Sequence, residues 1–336
     1  MSSNSKIEWT DTTWNPVRGC SMVSNGCTNC YAMKQAHRFH GKGQPYEGLT
    51  KLSNGGPVWT GKIKLVPELL ERPLHWKYPR RVFVNSMSDL FHEDVPDEFI
   101  ASVFAVMRDV CSHTFQILTK RPSRACELLN DPEFYECVDE KSYIHETETM
   151  FSAYKRMEQF IPPGPPYPNV WLGVSVEDQK TADERIPLLL QTPAAVRWIS
   201  AEPLLGAIDL TWLDAGNRFI HAFGNSTKLD WVVAGGESGP GARPSHPDWF
   251  RSLRDQCVAA DVPFFFKQWG EWYGGVTNVN DKGPLRICRG GIVEHHDYNE
   301  PPDSFFMVGA ESTVQRVGKK KAGRTIDGET WDQYPE

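Results

Sequence analysis

A chain of 336 residues with 40% hydrophobic and 24% charged residues has the composition of a folded globular protein, which excludes a fibrous or largely disordered chain. A formal net charge of −7 excludes a chain-wide attraction to phosphate backbones, so any nucleic-acid contact needs a local basic patch. The first residues lack an apolar signal segment and no window approaches ~18 consecutive apolar residues. A cytoplasmic protein without membrane segments is therefore expected, in which eight cysteines do not form a disulfide framework.

In chain order, a first strand precedes Cys20. Cys20, Cys27 and Cys30 follow with C-x6-C-x2-C spacing, and Ser24, Asn25, Gly26, Thr28 and Asn29 among them favour a loop. A helix is predicted over 31–39 and an irregular excursion over 48–61. The spacing of Leu65, Leu69, Leu70 and Leu74 predicts a helix over 64–76, with Pro67 in its first turn. From residue 81, short apolar runs alternate with helices. Strands are predicted at 81–89, 114–122, 169–177, 196–203, 230–239 and 262–270. Helices are predicted over 96–111, 123–129, 178–190 and 248–260; the first carries Phe99, Val103, Val106, Met107 and Val110 on one face.

Seven strands with apolar residues on both faces, mostly separated by helices, read as the buried parallel sheet of an α/β protein. The pattern fits an open doubly wound sheet or a barrel. Because each run ends in polar residues, a partial or complete (β/α) barrel over residues 1–270 is favoured, with its chemistry at the carboxyl ends of the strands. Residues 131–168, holding a helix-like 146–160 and a proline-rich connection, read as an insertion. Residues 212–228 form a second, smaller one, and residues 271–336 an irregular C-terminal extension packed on the barrel.

The cysteine loop admits two cargoes. Cys20, Cys27 and Cys30, completed by His37 or His40, suit a structural zinc ion. The same three thiolates suit a [4Fe–4S] cluster whose fourth iron stays open for a small molecule. A chance group of unligated thiols is the third possibility. Cys111, Cys126, Cys137, Cys257 and Cys288 are scattered singly and read as ordinary core or surface thiols.

A three-cysteine loop after a first strand and before a helix, ending Cys-Thr-Asn-Cys-Tyr-Ala, resembles that of the radical S-adenosylmethionine enzymes. Their usual spacing is C-x3-C-x2-C on a partial (β/α) barrel; here the first gap is six residues and the C-x2-C-Tyr half is intact. Further segments resemble a phage-associated family of undefined function known by a three-cysteine motif. These are Ile7-Glu-Trp-Thr-Asp with Trp14-Asn-Pro, Val84-Asn-Ser-Met-Ser-Asp-Leu-Phe, Leu118-Thr-Lys-Arg-Pro, Leu172-Gly-Val-Ser-Val-Glu, Ser200-Ala-Glu-Pro-Leu and Gly235-Gly-Glu-Ser-Gly. This similarity covers nearly the whole chain, least over the 131–168 insertion, and a more distant one runs to spore photoproduct lyase-like DNA repair enzymes.

The resemblance implies a [4Fe–4S] cluster on Cys20, Cys27 and Cys30, S-adenosylmethionine at the open iron, and a reductant such as flavodoxin or ferredoxin. It also implies a 5′-deoxyadenosyl radical acting on a nucleotide or nucleic-acid substrate. Ser86, Ser88 and Asp89 would then contact the methionine portion, and Lys120 its carboxylate. Ser175 and Glu177 would bind ribose or carboxylate, while the catalytic candidates Glu202, Glu237 and Lys267, with Gln268, would face the substrate.

Simpler readings stand beside these. Asp89 suits a helix cap, Lys120-Arg121 a solvated pair, and Gly235-Gly236-Glu237-Ser238-Gly239 a tight turn. Glu177, Glu202 and Glu237 converging would make a barrel hydrolase, the cysteine loop then being a zinc staple. A non-enzymatic nucleic-acid module would use Lys77, Arg80, Arg81 and Lys319 to Lys321.

Overall fold

The computed structural model describes residues 5, 7–53, 55–141, 164–224, 227–274, 285–287, 293–295 and 312–336. Seven strands make its main sheet: β1 (Thr12–Trp14), β2 (Arg81–Val84), β3 (Thr114–Thr119), β4 (Val170–Ser175), β5 (Val196–Ala201), β6 (Trp231–Gly235) and β7 (Phe264–Gln268). They lie in the order β1-β2-β3-β4-β5-β6-β7, which is also their order in the chain. The β1/β2, β2/β3, β3/β4 and β6/β7 pairs run parallel. A doubly wound sheet reverses its order at a switch point, and this one never does. With β1 and β7 unpaired to each other, it is the open, partial form of the (β/α) barrel rather than the closed one.

Helices follow most strands: α1 (Tyr31–His37), α2 (Asp97–Asp109), α3 (Pro122–Leu129), α4 (Pro132–Glu140), α5 (Gln179–Gln191) and α6 (Pro247–Ala259). Pro122, Pro132 and Pro247 each sit in a first turn, where the missing N–H costs nothing. The strands are apolar on both faces, as covered strands are: Phe115 and Ile117 of β3 and the whole of β6 are buried.

By its contacts the chain divides into two compact units. Unit 1 is Met1–Ser24, Cys30–Val174 and Leu188–Trp198; unit 2 is Asn25–Asn29, Ser175–Pro187 and Ile199–Glu336. In unit 1, Gly173 lies so close to the Trp198 indole that a Cβ there would overlap the ring, and Trp9 packs edge-on against Trp198 at 5.1 Å between centroids. In unit 2, Phe250, Phe266 and Trp269 form a mutually edge-to-face trio.

Two local expectations are corrected. The helix predicted over 64–76 is instead a short strand, Lys64–Leu65, followed by separate 3-10 turns at Pro67–Leu69 and Arg72–His75. Pro73 explains the break, since inside a continuous helix it would remove one hydrogen bond and crowd the preceding turn. The excursion at 48–61 contains an antiparallel hairpin, Thr50–Ser53 with Gly56–Trp59. The 212–228 insertion carries another, Leu213–Asp214 with Phe219–Ile220. The helix read at 146–160 lies outside the described residues.

Within 271–336, Trp272–Gly274, Ser312–Arg316, Leu285–Ile287 and Val293–His295 form, in that order, a four-stranded antiparallel sheet. The chain end then runs along β7. Phe266 N–H donates to Trp331 O, and Phe264 N–H to Gln333 Oε1. This covers backbone groups that an edge strand would otherwise leave open.

Candidate functional site

Three groups of polar side chains gather at the carboxyl ends of the strands, one in unit 1 and two in unit 2. In unit 1 the group forms where β2 and β3 end. Asn85 turns the chain after β2 with φ +59°, a conformation that asparagine tolerates better than most residues. Its Oδ1 accepts from Val17 N–H at 3.2 Å. Ser86 Oγ donates to Asn15 Oδ1 at 3.1 Å and Ser88 Oγ to Val17 O at 2.9 Å. These two hydroxyls therefore hold the β2 turn against the segment leading to Cys20.

Asp89, 5% exposed, is saturated. Its Oδ1 accepts from Phe91 N–H at 3.0 Å and Thr119 Oγ1 at 2.8 Å, and its Oδ2 from Lys120 N–H at 3.0 Å and Arg121 Nη1 at 3.1 Å. Arg121, at the N-terminus of α3, also donates from Nε to Glu93 at 2.9 Å and from Nη2 to Ser21 Oγ. Its Nη1 lies 3.8 Å from Cys20 Sγ. Burial pushes Glu93 up, but hydrogen bonds from its own N–H and from Arg121, with the charges of Arg121 and His92, hold it down at about 2.

Cys20 and Cys30 both pack on an apolar cluster of Ala32, Met33, Ala36, Leu49, Trp59 and Met87. The two thiols are near enough for charge on Cys30 to act on Cys20. Burial raises the Cys20 thiol to about 12; Asp89 and Cys30 add to this, and Arg121 opposes it. His37 and His40 stack on each other with centroids 3.8 Å apart, and their Nδ1 atoms meet Thr50 Oγ1 and the His37 carbonyl.

In unit 2 the middle of the cysteine loop is held by two carboxylates. Gly26, in the one-turn helix Asn25–Cys27, lies against Glu177 so tightly that a Cβ would overlap its carboxylate. Glu177 is 1% exposed and faces Arg185 of α5 at 3.2 Å, and Arg185 Nη1 also donates to Ser175 O at 2.7 Å. Asn29 Nδ2 donates to Glu237 Oε2 at 3.0 Å and to Gly241 O at 2.9 Å. Arg243 closes the set, its Nη2 donating to Glu237 Oε1 at 2.6 Å and its Nε and backbone N–H to Oε2 at 2.9 and 2.7 Å. Burial pushes Glu237 up, yet the donors from Arg243 and Asn29 outweigh it and hold the carboxyl below its ordinary range.

The third carboxylate of unit 2 is different. Glu202, just past β5, accepts Lys267 Nζ on both oxygens at 2.9 Å, and Gln268 Nε2 approaches its Oε1 at 3.3 Å. Gln268 Nε2 also donates to Ser238 Oγ at 2.8 Å. Successive strand residues point to opposite faces. Lys267 and Gln268 both reach Glu202 because the β6/β7 register shifts there, with Ala234 opposite Phe266 and Gly235 opposite Gln268. Such a bulge re-aims a side chain. Gly236 and Gly270 permit the close approach, since a Cβ on either would overlap backbone of the other segment.

The residues singled out in the sequence thus fall into separate groups. Ser86, Ser88 and Asp89 join Arg121 around Cys20; Glu202, Lys267 and Gln268 come together; Glu177 and Glu237 buttress the loop between Cys20 and Cys30. Ser175, 5% exposed, and the partly buried Lys120 end β4 and β3. Sequence reasoning missed Arg121, Arg185, Arg243 and Asn29 as partners. Arg121 directly before the helix-starting Pro122 was one local signal; Arg185 and Arg243 lie eight and six residues after the carboxylates they meet, and Asn29 lies 208 residues from Glu237.

Among the described residues no group of three or more His, Cys, Asp or Glu side chains is gathered to hold a metal ion. The fit of a cluster to this loop rests on donor chemistry. Cys20, Cys27 and Cys30 are in no disulfide, and thiolates are the soft donors that iron–sulfur clusters take. A guanidinium stands at Cys20 to balance thiolate charge. No helix among the described residues is long and apolar enough to cross a membrane.

Comparison with known proteins places the chain in a family. The sequence profile of a protein of unknown function (DUF5131) matches residues 4–335, and the chain belongs to that family. No curated protein and no solved structure matches it.

Proposed function

We propose that this member of the DUF5131 family is a radical S-adenosylmethionine enzyme of the cytoplasm, with Cys20, Cys27 and Cys30 as the ligands of a [4Fe–4S] cluster. The observation that carries the reading is the setting of Cys20 and Cys30. They follow the first strand of a sequentially ordered parallel sheet, share one apolar cluster, and lie beside the Arg121 guanidinium. A zinc staple needs no such cation next to its ligands, whereas a redox cluster is tuned by nearby charge and hydrogen bonds to its sulfurs.

When bound, such a cluster supplies, with S-adenosylmethionine and an electron from a flavodoxin- or ferredoxin-type reductant, cleavage of the sulfonium to methionine and a 5′-deoxyadenosyl radical. The protein's own residues bind, orient and exclude. Asp89 and Arg121 fix the Cys20 side of the loop, while Glu177 and Glu237 fix its middle at Gly26 and Asn29. The apolar cluster under Cys20 and Cys30 covers one side of the partly buried thiols. Lys120 and Ser175, at the ends of β3 and β4, are the residues assigned to the cofactor's methionine carboxylate and ribose; Glu202 and Lys267 are assigned to the substrate. A nucleotide or nucleic-acid substrate and a phage context belong to the same reading.

The hydrolase alternative loses support because two of its three carboxylates, Glu177 and Glu237, are each bound by an arginine. Anaerobic reconstitution with iron and sulfide tests the proposal. Brown protein with about four irons per chain, and release of 5′-deoxyadenosine on adding dithionite and S-adenosylmethionine, are expected; Cys27→Ala abolishes both. Stoichiometric zinc in anaerobically purified protein, with no iron uptake on reconstitution, would overturn it.

A further inference from the structure

Buried side-chain atoms without a partner occur in two of the polar groups, at Asn85 Nδ2 after β2 and in the Glu202–Lys267–Gln268–Ser238 group, where the atom is an acceptor with donors on its neighbours. Gln268 is 4% exposed, and its Oε1 has no hydrogen-bond partner among the described residues. The amide cannot simply be turned round. Its other end approaches a Glu202 carboxylate oxygen, which only accepts, so the NH2 must face Glu202 and Oε1 must face away. A buried acceptor left unmade is costly, and in native proteins such atoms ask for a partner.

The donors around it are only partly used. Lys267 Nζ carries three protons and gives two to Glu202, and the Ser238 hydroxyl accepts from Gln268 while its own proton has no partner among the described residues. The group therefore holds one buried acceptor without a partner, Gln268 Oε1, and two donors with a proton to spare, Lys267 Nζ on Glu202 and Ser238 Oγ on the same amide's nitrogen. Its net charge is zero because Glu202 and Lys267 cancel, so it does not draw in a phosphate or carboxylate. It sits at the carboxyl ends of β5 and β7, where parallel α/β sheets bind ligands.

We infer that Gln268, Lys267 and Ser238 bind the cis-amide edge of a neutral ligand, N–H on Gln268 Oε1 and C=O on Lys267 or Ser238. An extended peptide bond is excluded, because its N–H and C=O point in opposite directions. The edge occurs in the lactam of a nucleobase, as in uracil or guanine, and in a primary carboxamide. The inference rests on the proposed function only in naming this ligand the substrate; the site itself stands on the geometry above.

Full-length protein free of any cluster, titrated by ligand-observed NMR with uridine, 3-methyluridine, guanosine, 1-methylguanosine and propionamide, tests it. A nucleoside is expected to bind, and its N-methyl analogue about tenfold or more weakly, as a site built to meet a donor rejects a ligand without one. Gln268→Met should remove that preference. Propionamide binding more tightly than both nucleosides would support the same site with a side-chain carboxamide as its source. Binding by neither class, or equal binding of the methylated and unmethylated nucleosides, would overturn the inference. That comparison uses the wild-type protein, so it stands even where Gln268→Met fails to fold. Release of 5′-deoxyadenosine tests the radical chemistry separately, so the two can fail independently.

Discussion

Glu177 and Glu237 differ from Glu202 in what surrounds them rather than in their place at the ends of core strands. The first two are buried, each faces an arginine, and both hold the middle of the cysteine loop. Glu202 pairs with a lysine, keeps a fifth of its side chain exposed, and lies next to an amide oxygen with no partner. Three carboxylates at equivalent strand ends thus divide into two that face arginines and one, itself accepting on both oxygens, whose neighbouring amide leaves hydrogen-bonding capacity over. Saturation marks a buttress; residual capacity marks a surface that meets a ligand.

The sharpest way to break this comparison is to remove the arginine from the most buried pair. Arg185→Met leaves Glu177 charged in the interior, and about 3–5 kcal/mol of stability should be lost in urea denaturation. The double variant Glu177→Gln/Arg185→Met should recover part of that, since no charge is left stranded. A loss under about 1 kcal/mol for the single variant would show that water reaches Glu177, and the distinction between the two kinds of carboxylate would collapse.

A smaller effect is expected at Glu237. Glu237→Gln keeps the shape but turns the acceptors of Arg243 and Asn29 into a neutral amide. About 1.5–3 kcal/mol should be lost, the range for hydrogen bonds to a charged group. The loss should be local as well as global. Amide hydrogen exchange at Thr28 and Asn29 should quicken more than exchange in β6, because Asn29 is tied to Glu237 and Gly241. Equal quickening in both would make Glu237 a general stabiliser instead of a loop anchor.

Why the sequence revealed some of this and hid the rest follows from the range of the forces involved. The strands β3 to β7 were legible because short runs buried on both faces need consecutive apolar residues, and α2 and α6 because a covered helix repeats its apolar face. The 64–76 segment misled because Leu65, Leu69, Leu70 and Leu74 keep helical spacing while Pro73 forbids the continuous helix. The partial barrel was legible from alternation, yet its openness was not, since edge pairing is a property of the closed ring. At the site, residue types at strand ends were visible and their division of labour was not. Arg243, six residues after Glu237, is a local difference from Glu202, but nothing in the spacing shows that the two side chains meet. The rest of the difference lies in Asn29, 208 residues away, and in the bulge that turns both Lys267 and Gln268 toward Glu202.

The pH dependence of the loop sharpens the comparison further. Glu237 has a folded pKa depressed below its ordinary 4.5 by its donors. Its contribution is therefore fully present above that value and is lost as the pH falls through the lower folded pKa. Protection of Thr28 and Asn29 amides should fade in that acid range, and Glu237→Gln should remove the dependence. Fading that is complete before the pH has fallen to 4.5 would point to a different titrating group.

The smallest effect should come from Lys267→Met. Lys267 and Glu202 are 14% and 20% exposed at their side chains, so solvent screens the pair and can take over the lysine's role. About 1 kcal/mol or less should be lost in the same urea denaturation, well below the cost at Arg185. Nucleoside binding should fall at the same time, because the variant removes a donor to the ligand's carbonyl while leaving Gln268 Oε1 in place. The ratio between a nucleoside and its N-methyl analogue should survive, since that ratio depends on Gln268 alone. A stability loss as large as that of Arg185→Met would make Lys267 a buttress like the two arginines, and would return Glu202 to the same class as Glu177 and Glu237.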